Sequence, residues 1–329
     1  MSKPKVLITR NIFPEAIEAI KEVAEIDLWT DEMPPTREVL IEKSKGIDGI
    51  LCLLTDKIDG EFMDNAGPQL KVISQIAVGY NNIDIGAATK RNIPVGYTPD
   101  VLTHATADFA FTLLMSAARL IIPGHTAAHD GSWKTWHPLH FLGQDIYGSK
   151  LGIVGMGRIG FEMAKRSTGF DMDILYYDVD RREDLEKELE MAHVSMDELL
   201  KDSDFVSIHV DLNPTTTHMF SDKQFKQMKS SSVVINAARG PVIDHMALYR
   251  ALKNKEIAAA GLDVTEPEPI PDNHPLLSLD NCLIVPHIAS ATFATRRAMS
   301  NLAATNLING LLGKSLSTCV NPEVDIKKI

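Results

Sequence analysis

Three polar residues follow apolar, strand-like stretches in the second half of the chain. Arg239 comes directly after VVINAA, Glu268 shortly after AGLDV, and His287 after LIVP. In an open parallel sheet, residues just beyond the carboxyl ends of the strands converge on one crevice, where nucleotide cofactors also bind. We therefore expect these three side chains to lie close together.

Reduction of a 2-oxo acid needs side chains of these three types. Arginine offers a substrate carboxylate a planar, bidentate fork that lysine does not. Histidine can donate a proton to the carbonyl oxygen near neutral pH, and a carboxylate on its other ring nitrogen orients the ring and favours its charged form. We predict that Arg239 binds the substrate carboxylate, that His287 is the acid, and that Glu268 is its partner.

Each of these residues also has an ordinary structural explanation when it is taken alone. Arg239 could be a surface or salt-bridge residue, Glu268 a loop carboxylate between prolines, and His287 a hydrogen-bonded core histidine. Their joint occurrence at strand ends favours the catalytic interpretation.

A glycine-rich turn of the form GxGxxG lies in the segment LGIVGMGRIG, between an apolar strand and an amphipathic helix. Gly155 permits the tight turn, Gly157 lets the backbone approach a pyrophosphate, and Gly160 allows the helix to pack closely on the sheet. The free N–H groups of the helix N-terminus then face the anion. The segment predicts a dinucleotide site, which includes the intervening Arg158 and Ile159.

An acidic residue follows the next strand at the spacing that a dinucleotide site requires. Asp178 lies 18 residues after Gly160, where a carboxylate accepts hydrogen bonds from the adenosine ribose. Because a carboxylate there repels a 2′-phosphate, we expect NAD, with NADH preferred. Arg181 and Arg182 follow at once and could bind that phosphate, so NADPH remains an alternative.

Short β-branched runs alternate with helical patterns along the whole chain, as in parallel βαβ units. The predicted helices of the first half span residues 14–24 and 37–45. The predicted strands lie in KVLITR, EIDLWT, DGILCLL, KVISQIAV and IPVGYT, and then in KLGIVGMG, MDILYYD, DFVSIHV, SVVINAAR, AAAGLDV and CLIVPHI. The fold class is therefore α/β, with two Rossmann-like, doubly wound parallel-sheet domains and a cleft between them.

A long helical segment joins the two series of strands. We predict a helix over residues 101–122, with Asp100 and Thr103 as cap candidates, followed by the aromatic loop GSWKTWHPLHF. A last helix spans residues 294–312, and the tail returns to the first series. The predicted domains are residues 1–100 with 292–329, a discontinuous substrate-binding (catalytic) domain, and residues 101–291, an NAD-binding Rossmann domain.

Composition excludes several other classes of protein. The chain has 329 residues and a formal net charge of -11, without a long basic cluster, so we expect neither nucleic acid nor a membrane surface as a partner. The three cysteines suggest neither disulfides nor a zinc site, which is typical of a cytoplasmic protein, and no export signal or membrane anchor is visible. His125 and His129 have i, i+4 spacing without a third ligand, and we predict no metal.

The chain resembles the D-isomer-specific 2-hydroxyacid dehydrogenase family, and most closely its glyoxylate/hydroxypyruvate reductase branch. The resemblance covers nearly the whole chain. It rests on AVGYNNID, VLTHATADFAFTLLMSAAR, LGIVGMGRIG, INAARGPVID, AAAGLDVTEPEPIPDNHPLL and PHIASAT.

The resemblance implies a role for further residues in binding. It assigns the substrate carboxylate to the backbone N–H groups of Val78 and Gly79 and to Arg239, while His287 contacts the substrate as the proton donor, with Glu268 as its partner. Leu53 of the first domain, with its neighbour Leu54, is expected to shape the substrate pocket. It places four more residues at the cofactor: Thr106, Val210, Ala237 and Asp263. Of these, Asp263 is expected near the nicotinamide amide. It also implies a homodimer built around residues 101–150, with the active site between domains; Trp133 and Trp136 would border a neighbouring subunit's site or lie in the dimer core.

Some positions depart from the family pattern. Ala289 replaces the commoner glycine of PHIGSAT, and Glu268 stands where formate dehydrogenases have glutamine, which disfavours formate as a substrate. Two alternative functions remain open at this point: a D-lactate or other D-2-hydroxyacid dehydrogenase, and a non-catalytic NAD-sensing scaffold.

Overall fold

The computed structural model describes residues 3–324, which form two compact units. The first comprises the described residues up to Leu102 together with those from Thr292 onward, and the second is Thr103–Ala291. The strands are β1 Lys5–Ile8, β2 Glu25–Leu28, β3 Gly49–Cys52, β4 Val72–Gln75, β5 Val95–Gly96, β6 Lys150–Val154, β7 Asp173–Tyr177, β8 Ala192–His193, β9 Phe205–Ile208, β10 Val233–Asn236, β11 Ala259–Leu262 and β12 Cys282–Ile284. The helices are α1 Pro14–Val23, α2 Arg37–Ser44, α3 Gly60–Ala66, α4 Ile85–Lys90, α5 Thr103–Ala118, α6 Ile121–His129, α7 Arg158–Ser167, α8 Glu183–Leu189, α9 Met196–Asp202, α10 Asp222–Phe225, α11 His245–Lys253 and α12 Phe293–Leu311.

The first unit is built on a five-stranded parallel sheet in the order β2-β1-β3-β4-β5. Its strands β3 and β4 are buried throughout, as expected when helices cover both faces of a parallel sheet. The tail of the chain returns to this sheet, because the Val320 N–H donates to the Val95 carbonyl (2.8 Å) and the Val95 N–H donates to Asn321 Oδ1 (2.9 Å). This unit is therefore discontinuous in sequence.

The second unit is built on a seven-stranded parallel sheet in the order β12-β11-β10-β9-β6-β7-β8. Two apolar clusters fill it: Ile153 belongs to one and its neighbour Val154 to the other, since successive side chains of a strand point to opposite faces. The order of the strands reverses between β6 and β9. Ligands of doubly wound sheets bind outside the carboxyl ends of the strands at such a reversal.

The predicted helix over residues 101–122 is wrong at both ends. The helix α5 begins at Thr103 and ends at Ala118, and α6 starts at Ile121 after a bend of 62°. Leu120 adopts a left-handed backbone conformation (φ 51°), and Pro123 in the first turn of α6 has no N–H with which to continue α5. The residue directly before α5 is Leu102, so neither of the predicted cap residues, Asp100 and Thr103, occupies that position. Asp100 has a left-handed backbone (φ 69°), and Thr103 is the first residue of the helix.

Among residues 3–324, no single helix has both the length and the apolar character needed to cross a membrane. Only α5 and α6 taken together, despite the bend between them, meet that length and composition.

Candidate active site

Three neighbouring strands of the second unit bring the predicted catalytic residues to one edge of the sheet. The strands β10, β11 and β12 lie side by side and parallel. Arg239 follows β10 by three residues and His287 follows β12 by three, while Glu268 lies in the loop that leaves β11. The strand order thus explains how residues far apart in sequence share one edge.

His287 and Glu268 form a hydrogen-bonded pair. The Nδ1 atom of His287 lies 2.6 Å from Oε1 of Glu268. Burial raises the pKa of the Glu268 carboxyl, but the hydrogen bond and the charge of His287 outweigh it, so that the pKa lies below its ordinary value. Because Glu268 is ionised at neutral pH, the Nδ1 atom that faces it carries a hydrogen. In the protonated ring Nε2 carries a second hydrogen, which it can donate to a ligand.

The backbone at His287 is held in an uncommon conformation by Asp263. His287 has a φ of 52°, a left-handed value that few residues other than glycine adopt. Its N–H donates to the Asp263 carbonyl (2.8 Å), and the Asp263 carboxylate accepts the N–H groups of Ile288 (2.7 Å) and Ala289 (2.9 Å). Burial raises the pKa of Asp263, while these two backbone hydrogen bonds oppose the shift. Asp263 therefore fixes the loop that carries His287, and Ala289 fits there without disturbing it.

The Arg239 side chain is partly exposed, at the edge of the sheet. Its Nη1 donates to the Ala238 carbonyl (2.7 Å). Burial lowers the pKa of this guanidinium, and the charges of Glu268 and Asp211 oppose the shift, so Arg239 stays charged at neutral pH. A partly desolvated guanidinium near the His287–Glu268 pair can bind a carboxylate close to a proton donor.

The glycine-rich turn has the geometry that a dinucleotide requires. Gly155 has a φ of 97°, and a Cβ on Gly160 would lie 2.1 Å from the Gly155 carbonyl oxygen, so neither position accepts a side chain without a shift of the backbone. A Cβ on Gly157 would meet no atom within 4 Å, and no side chain of the described residues caps the helix that starts there. Open space before the uncapped N-terminus of α7 fits a pyrophosphate.

Asp178 lies directly against this turn. Its Oδ2 accepts the N–H of Met156 at 2.6 Å, which places the carboxylate beside the glycines at the end of β7. Arg181 and Arg182 are each bound to a carboxylate of their own. Arg181 pairs with Glu186 (2.8 Å), and Arg182 pairs with Asp184 (2.8 Å). The second unit thus contains both the carboxylate that favours NADH and the two arginines that could bind the 2′-phosphate of NADPH.

The other predicted cofactor residues occupy different parts of the second unit. Val210 follows β9 and lies beside the turn, since its Cγ1 is 3.0 Å from a Cβ added to Gly155. Ala237 follows β10 directly, Thr106 is buried in α5, and Arg158 and Ile159 form the first turn of α7. Val210 and Ala237 therefore follow the ends of strands, and Arg158 and Ile159 begin the helix that follows β6. Thr106 lies within the helix α5 instead.

The predicted substrate residues of the first unit lie at the carboxyl ends of two neighbouring strands. Leu53 follows β3 directly, and Val78 and Gly79 lie three and four residues beyond the end of β4. All three are partly exposed. Their loops are held by two polar side chains that the sequence did not indicate, the buried Gln75 and the partly exposed Asn82.

The sequence analysis also missed two residues that shape the loop of Glu268. Thr265 donates its N–H to Glu268 Oε2 (3.4 Å) and its hydroxyl to the Pro267 carbonyl (2.8 Å). Gly240 lies against this loop so closely that a Cβ there would be 1.9 Å from the Thr265 carbonyl oxygen. The only signal in the sequence was the position of Gly240, directly after Arg239.

The described residues contain no cluster of three or more His, Cys, Asp or Glu side chains that could hold a metal ion. The rings of His125 and His129 lie 4.0 Å apart on α6.

Comparisons with known proteins show the family to which the chain belongs. Residues 111–289 match the family model described as D-isomer specific 2-hydroxyacid dehydrogenase, NAD binding domain. A glyoxylate reductase of Korarchaeum cryptofilum is 50% identical over 98% of this chain and 97% of its own. Among solved structures, a glyoxylate reductase from Paecilomyes thermophila is 33% identical, with a TM-score of 0.86 over 98% of this chain and all of its own.

An NADPH-dependent glyoxylate/hydroxypyruvate reductase of Sinorhizobium meliloti, solved with NADP and malonate, is 31% identical to this chain. Its TM-score is 0.86, and the match covers the whole of both chains. The matches extend through both units, and the matched family binds NAD. The chain belongs to the D-isomer-specific 2-hydroxyacid dehydrogenases, a family of NAD(P)-dependent oxidoreductases.

Proposed function

We propose that the protein reduces glyoxylate to glycolate, which has no stereocentre, or hydroxypyruvate to the D-2-hydroxy acid, D-glycerate. NAD(P)H supplies the hydride, a proton completes the alcohol, and NAD(P)⁺ is the second product. The observation that carries this proposal is the His287–Glu268 pair (2.6 Å) on the same edge of the sheet as Arg239. Relatives that cover nearly the full chain are named glyoxylate reductase, which supports the choice of substrate.

Each polar residue has one task in this proposal. Arg239 binds and orients the substrate carboxylate, because a desolvated guanidinium gives strong, directional hydrogen bonds to it. His287 donates the proton from Nε2 to the carbonyl oxygen, and Glu268 stabilises the charged ring before the proton leaves. Asp263 acts on His287 through the backbone, in addition to its proposed place near the nicotinamide.

In the first unit, we propose that the backbone N–H groups of Val78 and Gly79 also bind the carboxylate and that Leu53 limits the size of the substrate. The small residue at 79 permits an anion to approach the backbone closely. A larger 2-oxo acid, such as phenylpyruvate, should therefore be a poorer substrate than glyoxylate.

For the cofactor, we propose that NADH is preferred over NADPH. Asp178 stands at the end of β7 against the glycine turn, where its charge repels a 2′-phosphate. The two arginines that could attract that phosphate are already paired with Glu186 and Asp184. NADPH should bind, but with lower affinity.

Steady-state oxidation of NADH and of NADPH tests the proposal, with glyoxylate, hydroxypyruvate, pyruvate and phenylpyruvate as substrates. We expect glyoxylate or hydroxypyruvate with NADH to give the highest kcat/KM. A preference for pyruvate would indicate a D-lactate dehydrogenase instead. Failure to oxidise either cofactor with all four acids would favour a non-catalytic NAD-binding protein.

We also propose that the chain forms a homodimer through the region of residues 121–147. Exposed apolar side chains concentrate there, as they do at protein interfaces: Ile121, Ile122, Trp133, Trp136, Leu139 and Tyr147. Light scattering after gel filtration should give twice the 36.2 kDa of one chain. A mass of one chain at micromolar concentration would contradict this assignment.

A cytoplasmic location completes the proposal. Cys52, Cys282 and Cys319 are all free thiols, which fits a reducing compartment. Fractionation of the source cells should recover the NADH-dependent glyoxylate reductase activity with the cytoplasmic proteins.

A further inference from the structure

A buried glutamine links the two loops that follow β3 and β4. Gln75 is the last residue of β4 and pairs in register with Cys52, the last residue of β3. Its side chain is fully buried, although the sequence around it is apolar. A buried carboxamide is costly unless its donors and acceptor are satisfied, so its partners identify what it holds.

One end of the Gln75 carboxamide binds the loop of Val78 and Gly79. Its Nε2 donates to the carbonyl oxygen of Gly79 at 2.5 Å. This bond fixes the peptide plane between Gly79 and Tyr80, which adjoins the peptide that carries the Gly79 N–H, and so restrains the backbone of the loop at Gly79. No apolar side chain of similar length could supply that donor.

The other end of the carboxamide binds Asn82, which in turn binds the loop of Leu53. Gln75 Oε1 accepts from Asn82 Nδ2 (2.7 Å), and it also lies 3.7 Å from the thiol of Cys52. The same Asn82 nitrogen lies 3.0 Å from the Leu53 carbonyl oxygen and 2.9 Å from that of Asp56. The two loops are therefore tied to each other through one pair of amide side chains.

The Asp56 carboxylate secures the far side of the same network. Its Oδ2 accepts the N–H of Leu53 (2.8 Å) and the hydroxyl of Thr9. Asp56 and Thr9 are buried, and burial raises the pKa of Asp56 while the hydrogen bonds to Thr9 and Leu53 oppose the shift. Both loops consequently rest on buried polar groups rather than on apolar packing alone.

We propose that Gln75 is a positioning residue for the 2-oxo acid: through Gly79 and Asn82, it holds the carboxylate-binding N–H groups in place relative to the Leu53 loop. This inference rests on the proposed function, because it takes Val78 and Gly79 to be ligands of the substrate carboxylate. Gln75 touches neither the substrate nor the cofactor in this assignment and acts only through the loop.

The test compares Gln75→Met with a matched control, Gln69→Met. Gln69 belongs to the same unit and also donates to backbone carbonyl groups, those of Ile47 (3.3 Å) and Ala66, but it lies at the amino-terminal edge of β3 and β4. The Gln75→Met variant removes the donor to the Gly79 carbonyl and one of the three acceptors around the Asn82 nitrogen. We expect its KM for glyoxylate to rise about tenfold or more, with kcat within about threefold and the Kd for NADH within about twofold. The control should keep its KM within about twofold.

A second variant, Gln75→Glu, gives a signature that a general loss of stability does not produce. The ionised glutamate cannot donate to the Gly79 carbonyl, whereas the protonated acid can, and burial favours the protonated form. Relative to the unsubstituted protein at the same pH, its KM for glyoxylate should be raised strongly at pH 8 and should approach the normal value at pH 5.5. If neither Gln75 variant folds, Asn82→Ala removes the second contact from a partly exposed position and should raise KM at least about threefold.

Failure of this inference is distinguishable from failure of the proposed function. A folded Gln75→Met variant with a KM within twofold of the original, or a Gln75→Glu variant whose relative KM does not depend on pH, overturns the positioning role alone. If the unsubstituted protein fails to oxidise NADH with every 2-oxo acid tested, the proposed function is overturned, and the positioning role is overturned with it.

Discussion

Replacing Glu268 with glutamine tests the contribution of the carboxylate to the acid. Glutamine has the same shape and can still accept a hydrogen bond, but it carries no charge to stabilise the protonated ring of His287. Two unit charges about 4 Å apart interact by about 4 kcal/mol at an effective dielectric constant of about 20. The two side chains are 28% and 42% exposed, and we halve this figure for solvent screening, to about 2 kcal/mol. We therefore expect kcat for glyoxylate reduction to fall about 30-fold.

The assay is initial-rate oxidation of NADH with saturating glyoxylate between pH 5.5 and 9. Glu266→Gln is the matched control: Glu266 lies in the same loop but pairs with His218 (2.8 Å) rather than with His287. If Glu268→Gln retains kcat within threefold, or if the control loses as much activity, the assigned role of Glu268 is wrong.

Three further changes probe other parts of the site. Asp178→Ser removes the charge that opposes a 2′-phosphate. The ratio of kcat/KM for NADH to kcat/KM for NADPH should therefore fall about tenfold or more. An unchanged ratio in steady-state assays would contradict the assignment. Gly240→Ala places a Cβ about 1.9 Å from the Thr265 carbonyl oxygen. This clash should lower the free energy of unfolding by about 1–3 kcal/mol and remove much of the activity. A urea unfolding curve that matches the original protein would disprove the close contact. His245 is buried with a pKa lowered to about 4, chiefly by desolvation, so the unfolded chain takes up this proton first as the pH falls. Through this group, the free energy of unfolding should drop by about 2 kcal/mol between pH 7.5 and pH 5. His245→Asn should reduce this pH dependence of the free energy of unfolding by the same amount. An unaltered pH dependence would argue against a buried neutral ring.

The sequence predicts the sheets well because its signals are local. The strand β6, for example, is an apolar run that ends in a glycine motif, and Gly155, Gly160 and Asp178 lie where that motif requires them. The pairing of His287 with Glu268 also follows from topology, because parallel strands bring their carboxyl ends to one edge.

Other features depend on contacts that no local pattern encodes. The break between α5 and α6 depends on Pro123 and on the left-handed backbone of Leu120, within a stretch whose pattern favours one continuous helix. The strand β8 has only two residues and was not predicted. The role of Gln75 emerges only when β3 and β4 lie side by side, because its partners Gly79 and Asn82 lie beyond the strand and its neighbour Cys52 is far away in sequence.

The most direct test of the account is the combination of NADH affinity and glyoxylate turnover in His287→Ala. Removal of the proton donor should lower kcat by about 10²–10⁴-fold, the usual contribution of a general acid, and should leave the Kd for NADH, measured by fluorescence, within about twofold. A variant that binds NADH normally and still reduces glyoxylate at a rate within threefold of the original would show that the proton comes from another group.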